Sequence, residues 1–482
     1  MMARLLGRQP ASITSSRVLE VGCAAGGNLL PMAYAMPGAE FVGIDYSARQ
    51  VEDGEQRIEA LGLSNIQLIC ADLANLGAEL EDRLGSFDYI IAHGVYSWTP
   101  PHVRDALLAL CKRKLRPDGV AYISYNTYPG WHTMGLVRDA MLYYSQDAAT
   151  PDEKAEQGRA MVTFLAEHAK DGIHKEIFRH YVSQLHDGLK GTSDAFLLHD
   201  EMEEVNDPVY FHQFVEHALR HGLQYLVEVD LRTVLPLAFK PETQAALQKM
   251  VVGTIDLEQQ MDFLRNRMFR QTLLCHAEVP VQRTILPQPV MSSWLRSQAT
   301  RTDVTDATQR AGVVQFISKD EATISTDHPL TVAALGILAQ AWPRALSFAE
   351  LVKAARQVLE ESEGYTAIGA PEERTLAANL LRAYGRSPQL VDLHCFHPPL
   401  VTTMSERPLA SATARFEAQT RTTVTNMWHE RVTLLPIQQK ILPFLDGEHT
   451  LEELVALLES TVSAAELNEH LRWFAFAALL VG

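Results

Sequence analysis

The chain has 482 residues, 47% hydrophobic and 21% charged, the composition of a globular protein of roughly two to four domains. No apolar run reaches the roughly 18 residues of a membrane span, so membrane insertion is not expected. The net charge of −17, without a cluster of Lys and Arg, argues against a nucleic-acid partner.

Two features predict a cytoplasmic protein. The first residues, Met1 to Arg8, are basic but lack the apolar stretch and cleavage site of a secretory signal. The cysteines are odd in number and far apart, which suits a reducing compartment, and no pair has the spacing of a metal site. They are Cys23, Cys70, Cys111, Cys275 and Cys395.

The first third of the chain alternates short apolar runs with amphipathic stretches, the pattern of βαβ units around a parallel sheet. The predicted fold is therefore α/β, doubly wound and Rossmann-like. Strands are predicted at Val18–Val21, Phe41–Ile44, Ile66–Ile69, Tyr89–Ala92 and Val120–Ser124. Helical periodicity between them covers Asn28–Ala35, Ala48–Leu61 and Val103–Lys114.

The remainder is predicted to be mostly helical. Pro151–Leu197 is predicted as a helical insertion, and Leu223–Val229 and Gln271–His276 as strands that complete the sheet. Leu286–Val314, rich in Pro, Ser and Thr, is predicted to be a linker with one short helix. Three helices and a β wing then indicate a winged-helix module, and three more helices end the chain. These elements are 331–341, 348–360, 374–384, the wing 389–393, 437–445, 451–460 and 464–480.

The loop after the first strand, Glu20-Val21-Gly22-Cys23-Ala24-Ala25-Gly26-Gly27-Asn28, opens a helix, where backbone N–H groups can approach an anionic ligand. Alone it is weak evidence, because generic turns share this composition. Asp45 ends the second strand about 20 residues on, where an acidic side chain accepts from ribose hydroxyls. Asp72 is placed to receive the adenine amino group, with Leu73 packing on the base. For both aspartates a helix N-cap is the alternative role.

The loop favours S-adenosyl-L-methionine (SAM) over a dinucleotide, because Ala24 fills space that a pyrophosphate needs. Glu20 places a carboxylate where methyltransferases hold the amino-acid end of SAM. The expected product is S-adenosyl-L-homocysteine (SAH). The predicted cofactor-binding residues are Glu20, Gly22, Cys23, Ala24, Gly26, Asn28, Asp45, Tyr46, Asp72, Leu73 and His93.

Long motifs carry a resemblance to one bacterial family. They are the cofactor loop, Phe87–Trp98 and Ser124–His132, followed by 206–211, 221–226, 263–274, 327–330 and 425–430. The chain resembles the class I SAM-dependent methyltransferases that carry a methyltransferase regulatory domain. It is also similar to the rickettsial protein lysine methyltransferases that modify an outer-membrane protein, which implies a protein or peptide substrate.

The predicted elements divide the chain into four domains: a SAM-binding core at 1–134, a helical insertion at 135–285, a linker with a winged-helix-like domain at 286–400, and a C-terminal helical domain at 401–482. The resemblance implies that the second of these includes the regulatory domain. Family members carry an N-terminal Tyr-Asp and Pro-Tyr element that helps to cover the cofactor. Here the first strand begins close to Arg17, so a reduced or missing lid is expected.

Aromatic and amide side chains after the fourth and fifth strands form the predicted acceptor side, at the strand ends where open α/β sheets bind ligands. Asn126 ranks first, because its amide oxygen can hold an amine near the methyl group. The aromatic rings can attract a cationic acceptor or can serve packing, with even weight. The predicted catalytic residues are Asn126, Tyr125, Tyr96, Trp98 and Trp131. His93 is either a base or a residue beside the cofactor.

The leading hypothesis is a protein lysine N-methyltransferase. The alternatives are a small-molecule or natural-product methyltransferase and a non-catalytic SAM-fold scaffold. Phe444–Gly447 with Thr450–Leu454 resembles small winged-helix modules that carry peptides to tailoring enzymes, which agrees with a polypeptide substrate. No metal is expected, because His394-Cys395-Phe396-His397 lacks a second ligand pair. The oligomeric state stays open.

Overall fold

The computed structural model describes residues 1–168, 175–192, 194, 197–236, 239–302, 312–361, 369–458 and 462–482. Its largest feature is a seven-stranded sheet in the order β3-β2-β1-β4-β5-β7-β6. Only β7 runs antiparallel, to both β5 and β6. The strands are β1 (Arg17–Val21), β2 (Glu40–Asp45), β3 (Ile66–Cys70), β4 (Phe87–Ala92), β5 (Leu115–Asn126), β6 (Leu223–Glu228) and β7 (Phe269–His276). The doubly wound fold and all seven predicted strands are confirmed, although β5 begins earlier than predicted.

The first helices flank this sheet: α1 (Met2–Leu5), α2 (Leu29–Ala35), α3 (Ala48–Leu61), α4 (Ala78–Leu84) and α5 (Pro101–Lys114). The Ser47 side chain caps α3 by accepting from the N–H of Gln50, and Gly62 ends the helix in the left-handed region at φ 63°. The strand order reverses between β1 and β4. The loops after these strands therefore diverge and leave a crevice at the carboxyl ends of the strands, where doubly wound folds bind ligands.

A helical region interrupts the sheet between β5 and β6. It contains α6 (Trp131–Tyr144), α7 (Pro151–His168), α8 (Lys175–Leu189) and a π-helix at Leu197–Glu201. A separate apolar core, which includes Val137, Met141, Val162, Val182 and Met202, holds these helices together. Four further helices pack around β6 and β7: α9 (Phe211–Arg220), α10 (Leu231–Val234), α11 (Pro241–Met250) and α12 (Thr254–Arg265).

A buried ionic network joins β6, β7 and α12. The guanidinium of Arg270, 1% exposed, contacts Glu228 at 3.0 Å, Glu258 at 3.1 Å and Asp262 at 2.8 Å. Arg267 provides a second cation, 2.7 Å from Glu228. Three buried carboxylates thus face two guanidinium groups. Burial raises the pKa of Glu258 to about 7, which leaves this carboxyl the most easily protonated member of the three.

The next region contains α13 (Pro329–Ala341), α14 (Phe348–Glu360), α15 (Ala370–Tyr384) and two small sheets, β11-β10-β9 and β12-β8-β13. Their strands are β8 (Trp294–Arg296), β9 (Thr300–Thr302), β10 (Val314–Ile317), β11 (Thr323–Thr326), β12 (Leu346–Ser347) and β13 (Asp392–His394). The three predicted helices are confirmed. The short helix predicted within the linker segment is present as a 3-10 helix at Gln288–Ser292. The described part of the segment is nevertheless not a linker, because Val290, Leu295 and Ala299 are fully buried against the helices. Residues 303–311 of that segment lie outside the described residues.

The final segment contains α16 (Ala412–Ala418), β14 (Thr423–Thr425), β15 (Arg431–Thr433), α17 (Pro436–Ile441), a 3-10 turn at Leu442–Phe444, α18 (Leu451–Leu457) and α19 (Ala464–Phe476). The β14–β15 hairpin was not expected. The last helix ends before the predicted Leu480, because Leu480 and Val481 bridge to Ala410 and Leu400 instead. Part of the predicted helix 451–460 lies outside the described residues. Across the described ranges, no helix has both the length and the apolar character needed to span a bilayer.

Candidate active site

The loop after β1 is a tight turn held against β2. Gly22 and Gly26 each have φ 73°, and a Cβ on Gly22 would lie 2.6 Å from the Val95 side chain. Glycine is therefore required at Gly22 for both conformation and space. Ala24, which lies midway between the two glycines, also has a positive φ of 46°. Its N–H donates to Asp45 Oδ2 at 2.8 Å. The carboxylate that ends β2 thus fixes the shape of the loop.

Asp45 and Asp72 both accept local hydrogen bonds. Asp45 Oδ1 accepts from the N–H of Ser47 at 2.9 Å, and Asp72 caps the turn at Leu73–Asn75 through the N–H of Ala74. The Asn75 amide and the Ala74 N–H hold the pKa of Asp72 below its ordinary value. Each carboxylate oxygen can accept a further hydrogen bond, so capping leaves capacity for ribose or adenine. Their cofactor roles stay predictions.

Glu20, the next-to-last residue of β1, lies beneath this loop with 4% of its surface exposed. Its Oε1 accepts from Asn28 Nδ2 at 2.8 Å, whereas Oε2 is buried without a hydrogen-bond partner. Burial raises the pKa of this carboxyl to about 7, and the Asn28 hydrogen bond opposes that shift. An unpaired buried carboxylate oxygen is costly unless a cation or donor meets it. The α-ammonium group of SAM fits that requirement.

A cavity of about 1260 Å³ opens from Glu20. It is large enough for a ligand of the size of SAM. Six predicted cofactor-binding residues line it, namely Glu20, Gly22, Cys23, Ala24, Asn28 and His93. The other five predicted cofactor-binding residues are not part of its wall. Asp45 ends β2, and Gly26, Tyr46, Asp72 and Leu73 follow β1, β2 and β3 at the same edge of the sheet, where Tyr46 is 80% exposed.

Two distant parts of the chain complete the cavity wall. Residues between Met1 and Ser16 form one side, and the hydroxyl of Tyr89 donates to the carbonyl of Ala11 at 2.5 Å within it. Cys395 and His429, from the C-terminal half, form another side. The sequence predicts a reduced or missing lid over the cofactor. In the structure, residues that precede β1 and residues from the C-terminal half both contribute to the cavity wall.

The predicted acceptor side centres on Asn126 at the end of β5. Its Nδ2 donates to Asn206 Oδ1 at 3.1 Å, and its backbone N–H donates to Ser97 Oγ at 2.9 Å. Within the described part of the chain, Asn126 Oδ1 accepts no hydrogen bond and is free to accept one from a ligand. Asn206 Nδ2 is buried without a hydrogen-bond partner. Two amides are thus fixed side by side.

Aromatic residues lie close in sequence to these amides and contact one another. The rings of Trp98 and Trp131 meet edge to face at 6.3 Å, and Tyr128 lies 5.3 Å from Tyr210. Phe269, which pairs with Asn126 in the sheet, has its ring 5.9 Å from His93. The predicted donor and acceptor sides therefore lie next to each other at the end of β5 and the start of β7. His93 Nδ1 also lies 2.8 Å from the hydroxyl of Tyr122.

Tyr96 and Tyr125 occupy the hydrophobic core and not the acceptor side. They are 2% and 1% exposed and pack on Phe214. The Tyr96 hydroxyl lies 2.7 Å from His217 on α9, and that of Tyr125 lies 3.1 Å from Thr272. The sequence allows these rings either to attract the acceptor or to pack in the core, and the geometry supports packing. Neither residue is retained in the proposed acceptor site.

Sequence reasoning missed Asn206 and His429. Asn206 lies in one of the motifs that resemble the family. No local sequence pattern indicates that it contacts Asn126, which is 80 residues away. His429 is 401 residues from its contact, Asn28. His394, considered as a metal ligand, instead pairs with Asp392 at 2.8 Å. Among the described residues, one cluster has metal-ligand geometry, formed by Asp105, His217 and His221.

Three family models match the chain: a methyltransferase domain at residues 18–119, a predicted methyltransferase regulatory domain at 193–276 and the C-terminal winged helix domain of PKMT at 406–471. The uncharacterised protein RP789 of Rickettsia prowazekii is 31% identical over 480 residues, which span 97% of this chain and 83% of that protein. The chain belongs to this rickettsial-type class I methyltransferase family. It is a SAM-dependent methyltransferase.

Solved structures agree over the full length of the methyltransferase. PKMT2 from Rickettsia typhi matches with a TM-score of 0.82 and 25% identity, covering 100% of this chain and 97% of that one. The same protein in complex with AdoHcy matches with a TM-score of 0.81 and 24% identity. The winged helix match lies within 401–482, the segment predicted as helical, and the β14–β15 hairpin belongs to it.

Proposed function

We propose that this methyltransferase transfers the methyl group of SAM to lysine side chains of a polypeptide substrate. The observation that carries the proposal is the amide pair at the end of β5. Asn206 holds the side-chain amide of Asn126 by accepting a hydrogen bond from its Nδ2. The Asn126 oxygen, Oδ1, accepts no hydrogen bond from the described residues. The matched PKMT winged helix domain and the likeness to PKMT2 support a lysine acceptor. The family match and the unpaired Glu20 oxygen favour an enzyme over a scaffold.

On the donor side, Glu20 would hold the α-ammonium group, and Asp45 would accept from the ribose. Bound SAM supplies a methyl group on a sulfonium, whose S–C bond breaks as the N–C bond to the acceptor forms, leaving SAH. Cys23 lines the site without acting as a nucleophile. Burial and the nearby carboxyl groups of Asp45 and Glu20 raise the pKa of its thiol to about 12, so the thiol stays neutral.

On the acceptor side, the protein must present a neutral amine in line with the methyl group. A free lysine side chain has a pKa of about 10.4, and transfer into a poorly hydrated site lowers it. The Trp98 and Trp131 rings would exclude water around the amine, which loses its proton to solvent on entry. Asn126 Oδ1 would then accept an N–H of the neutral amine and orient its lone pair.

We further propose that the modules at 286–400 and 401–482 bind the polypeptide. In the winged helix region, Leu457 and Phe444 are exposed apolar side chains beside a shallow groove lined by Gln439 and Pro443. A cytoplasmic location is proposed as well, because all five cysteines are free thiols.

A lysine-blocking experiment tests the acceptor. The protein is incubated with methyl-labelled SAM and unfolded casein, or with casein whose lysines have been acetylated, which removes the nucleophilic lone pair of their Nζ. The proposal expects label on untreated casein and a large loss of label on the blocked protein. Equal labelling of both would place the methyl group on another side chain. Label confined to small molecules of an added metabolite extract would favour the small-molecule alternative.

A further inference from the structure

The imidazole of His429 contacts the cofactor site from the C-terminal half of the chain. Its Nε2 lies 2.8 Å from Asn28 Oδ1, and Asn28 Nδ2 lies 2.8 Å from Glu20 Oε1. All three side chains line the same cavity. Asn28, which directly precedes α2, therefore links the C-terminal region to the carboxylate of Glu20 near the end of β1.

The direction of each hydrogen bond follows from the chemistry of the groups. A carboxylate can only accept, so the Asn28 NH₂ group must face Glu20 and its oxygen must face His429. That oxygen can only accept, so His429 must present an N–H at Nε2. Burial lowers the pKa of His429, which favours a neutral ring with a single N–H. The ring thus fixes which way the Asn28 amide points.

The backbone at His429 is held in an unusual conformation. Its φ is 62°, in the left-handed region that costs a residue other than glycine some energy. The side chain of Asn426 secures the turn: its Oδ1 accepts from the N–H groups of Trp428 and Glu430 at 2.9 Å, and its Nδ2 donates to the carbonyl of Ala477 at 3.0 Å. Trp428 anchors the turn through a hydrogen bond to the carbonyl of Pro343.

We propose that His429 is a positioning residue for the amino-acid end of SAM. Its N–H locks the Asn28 amide, the amide holds Oε1 of Glu20, and Oε2 stays free for the α-ammonium group. The donor site is then complete only when the C-terminal region is docked on the sheet domain. This inference rests on the proposed placement of the SAM ammonium at Glu20.

Removal of the imidazole frees the Asn28 amide to rotate and to present its oxygen to Glu20. Loss of one hydrogen bond of this kind corresponds to a roughly tenfold weaker affinity for SAH. Glutamine is the conservative replacement, because its Nε2 can occupy the position of the histidine Nε2 and donate to the same oxygen. Asparagine tolerates the left-handed backbone but is too short to reach.

Calorimetric titration tests the proposal with two probes, SAH and 5′-methylthioadenosine, which lacks the amino-acid end. His429→Ala and His429→Asn are expected to weaken SAH binding roughly tenfold and to leave 5′-methylthioadenosine binding unchanged. His429→Gln is expected to restore SAH binding. His470→Ala, in the same region but away from the cavity, is the matched control and should bind both probes normally.

Two results would overturn the inference while the donor site stands: unchanged SAH binding in His429→Ala, or equal loss of both probes, which would indicate general damage. A wild-type protein that binds neither probe would instead overturn the proposed function, and the inference with it. Circular dichroism of each variant verifies that the fold is retained.

Discussion

Asn126 Nδ2 donates to Asn206 Oδ1 at 3.1 Å and so joins the end of β5 to the loop that precedes α9. Ser97 ties the loop after β4 into the same corner, since its Oγ accepts from the Asn126 N–H and its carbonyl accepts from the Asp207 N–H at 2.8 Å. Asn206 therefore holds the side-chain amide of Asn126, and Ser97 holds its backbone N–H. An amide held this way costs little to order when a substrate arrives.

Replacement of Asn126 by alanine removes the proposed acceptor-orienting oxygen. We expect kcat to fall about a hundredfold, the scale of a lost positioning contact, while SAH affinity stays within a few fold of wild type. Steady-state kinetics with casein and calorimetry with SAH provide the two measurements. Asn468→Ala, on the exposed face of α19, is the control. A variant with wild-type kcat would remove Asn126 from the mechanism.

The affinity for SAH is predicted to depend on pH through Glu20. The pKa of this carboxyl is raised to about 7, and an ammonium group binds its ionised form, so affinity rises with pH and levels off above 7. Below pH 7 the change is roughly tenfold per pH unit. Among the groups nearby, Cys23 and Tyr122 have pKa values raised to about 12, and His429 has a lowered one.

Calorimetry between about pH 5.5 and pH 8.5, corrected for buffer protonation, measures this dependence. Glu20→Gln is expected to bind SAH weakly and with little change over the range. Wild-type affinity that does not vary with pH would contradict the assignment of the ammonium to Glu20.

The ionic network around Arg270 predicts a large stability effect. Arg270→Met leaves Glu228, Glu258 and Asp262 buried with Arg267 as their remaining partner, which costs about 3–5 kcal/mol for a broken buried pair. The midpoint of urea unfolding should fall accordingly. Arg113→Met, which breaks a half-exposed pair with Glu81, is the control and should cost below about 1 kcal/mol. Equal effects of the two substitutions would argue against the network.

Glu258 should make stability decrease with rising pH. Its pKa is raised from 4.5 to about 7 in the folded chain, so the stabilisation is complete below pH 4.5 and is lost as the pH rises through 7. Glu258→Gln cannot ionise, and Tyr225 and Arg270 can still hydrogen-bond to its amide. The melting temperature of this variant relative to wild type should therefore increase between pH 5 and pH 8. A constant difference would indicate that Glu258 does not titrate there.

Much of the fold could be predicted because its signals are local. The apolar runs of β1 to β5 lie within a few residues, and the turn from Gly22 to Gly26 carries its own constraint on φ. The segment around Leu295 was misjudged, because three-residue strands are too short to show a pattern and its proline and serine content is typical of loops.

The site was harder to predict than the fold, since its contacts join residues far apart. Glu20 and Asn28 share one loop and were found, whereas His429 reaches them from the other end of the chain. Among the aromatic residues, the sequence predicts more site residues than the structure supports. Tyr96 and Trp98 lie in the same loop, but the Tyr96 ring packs in the core and the Trp98 ring lies beside Trp131. No local sequence pattern distinguishes the two.

Tandem mass spectrometry of casein after reaction with trideuteromethyl SAM identifies the atom that accepts the methyl group. For lysine methylation we expect trideuteromethyl groups on lysine Nζ with the wild-type protein and about a hundredfold fewer with Asn126→Ala. Deuterated methyl groups on carboxylate, hydroxyl or arginine side chains, with lysines unmodified, would contradict lysine methylation.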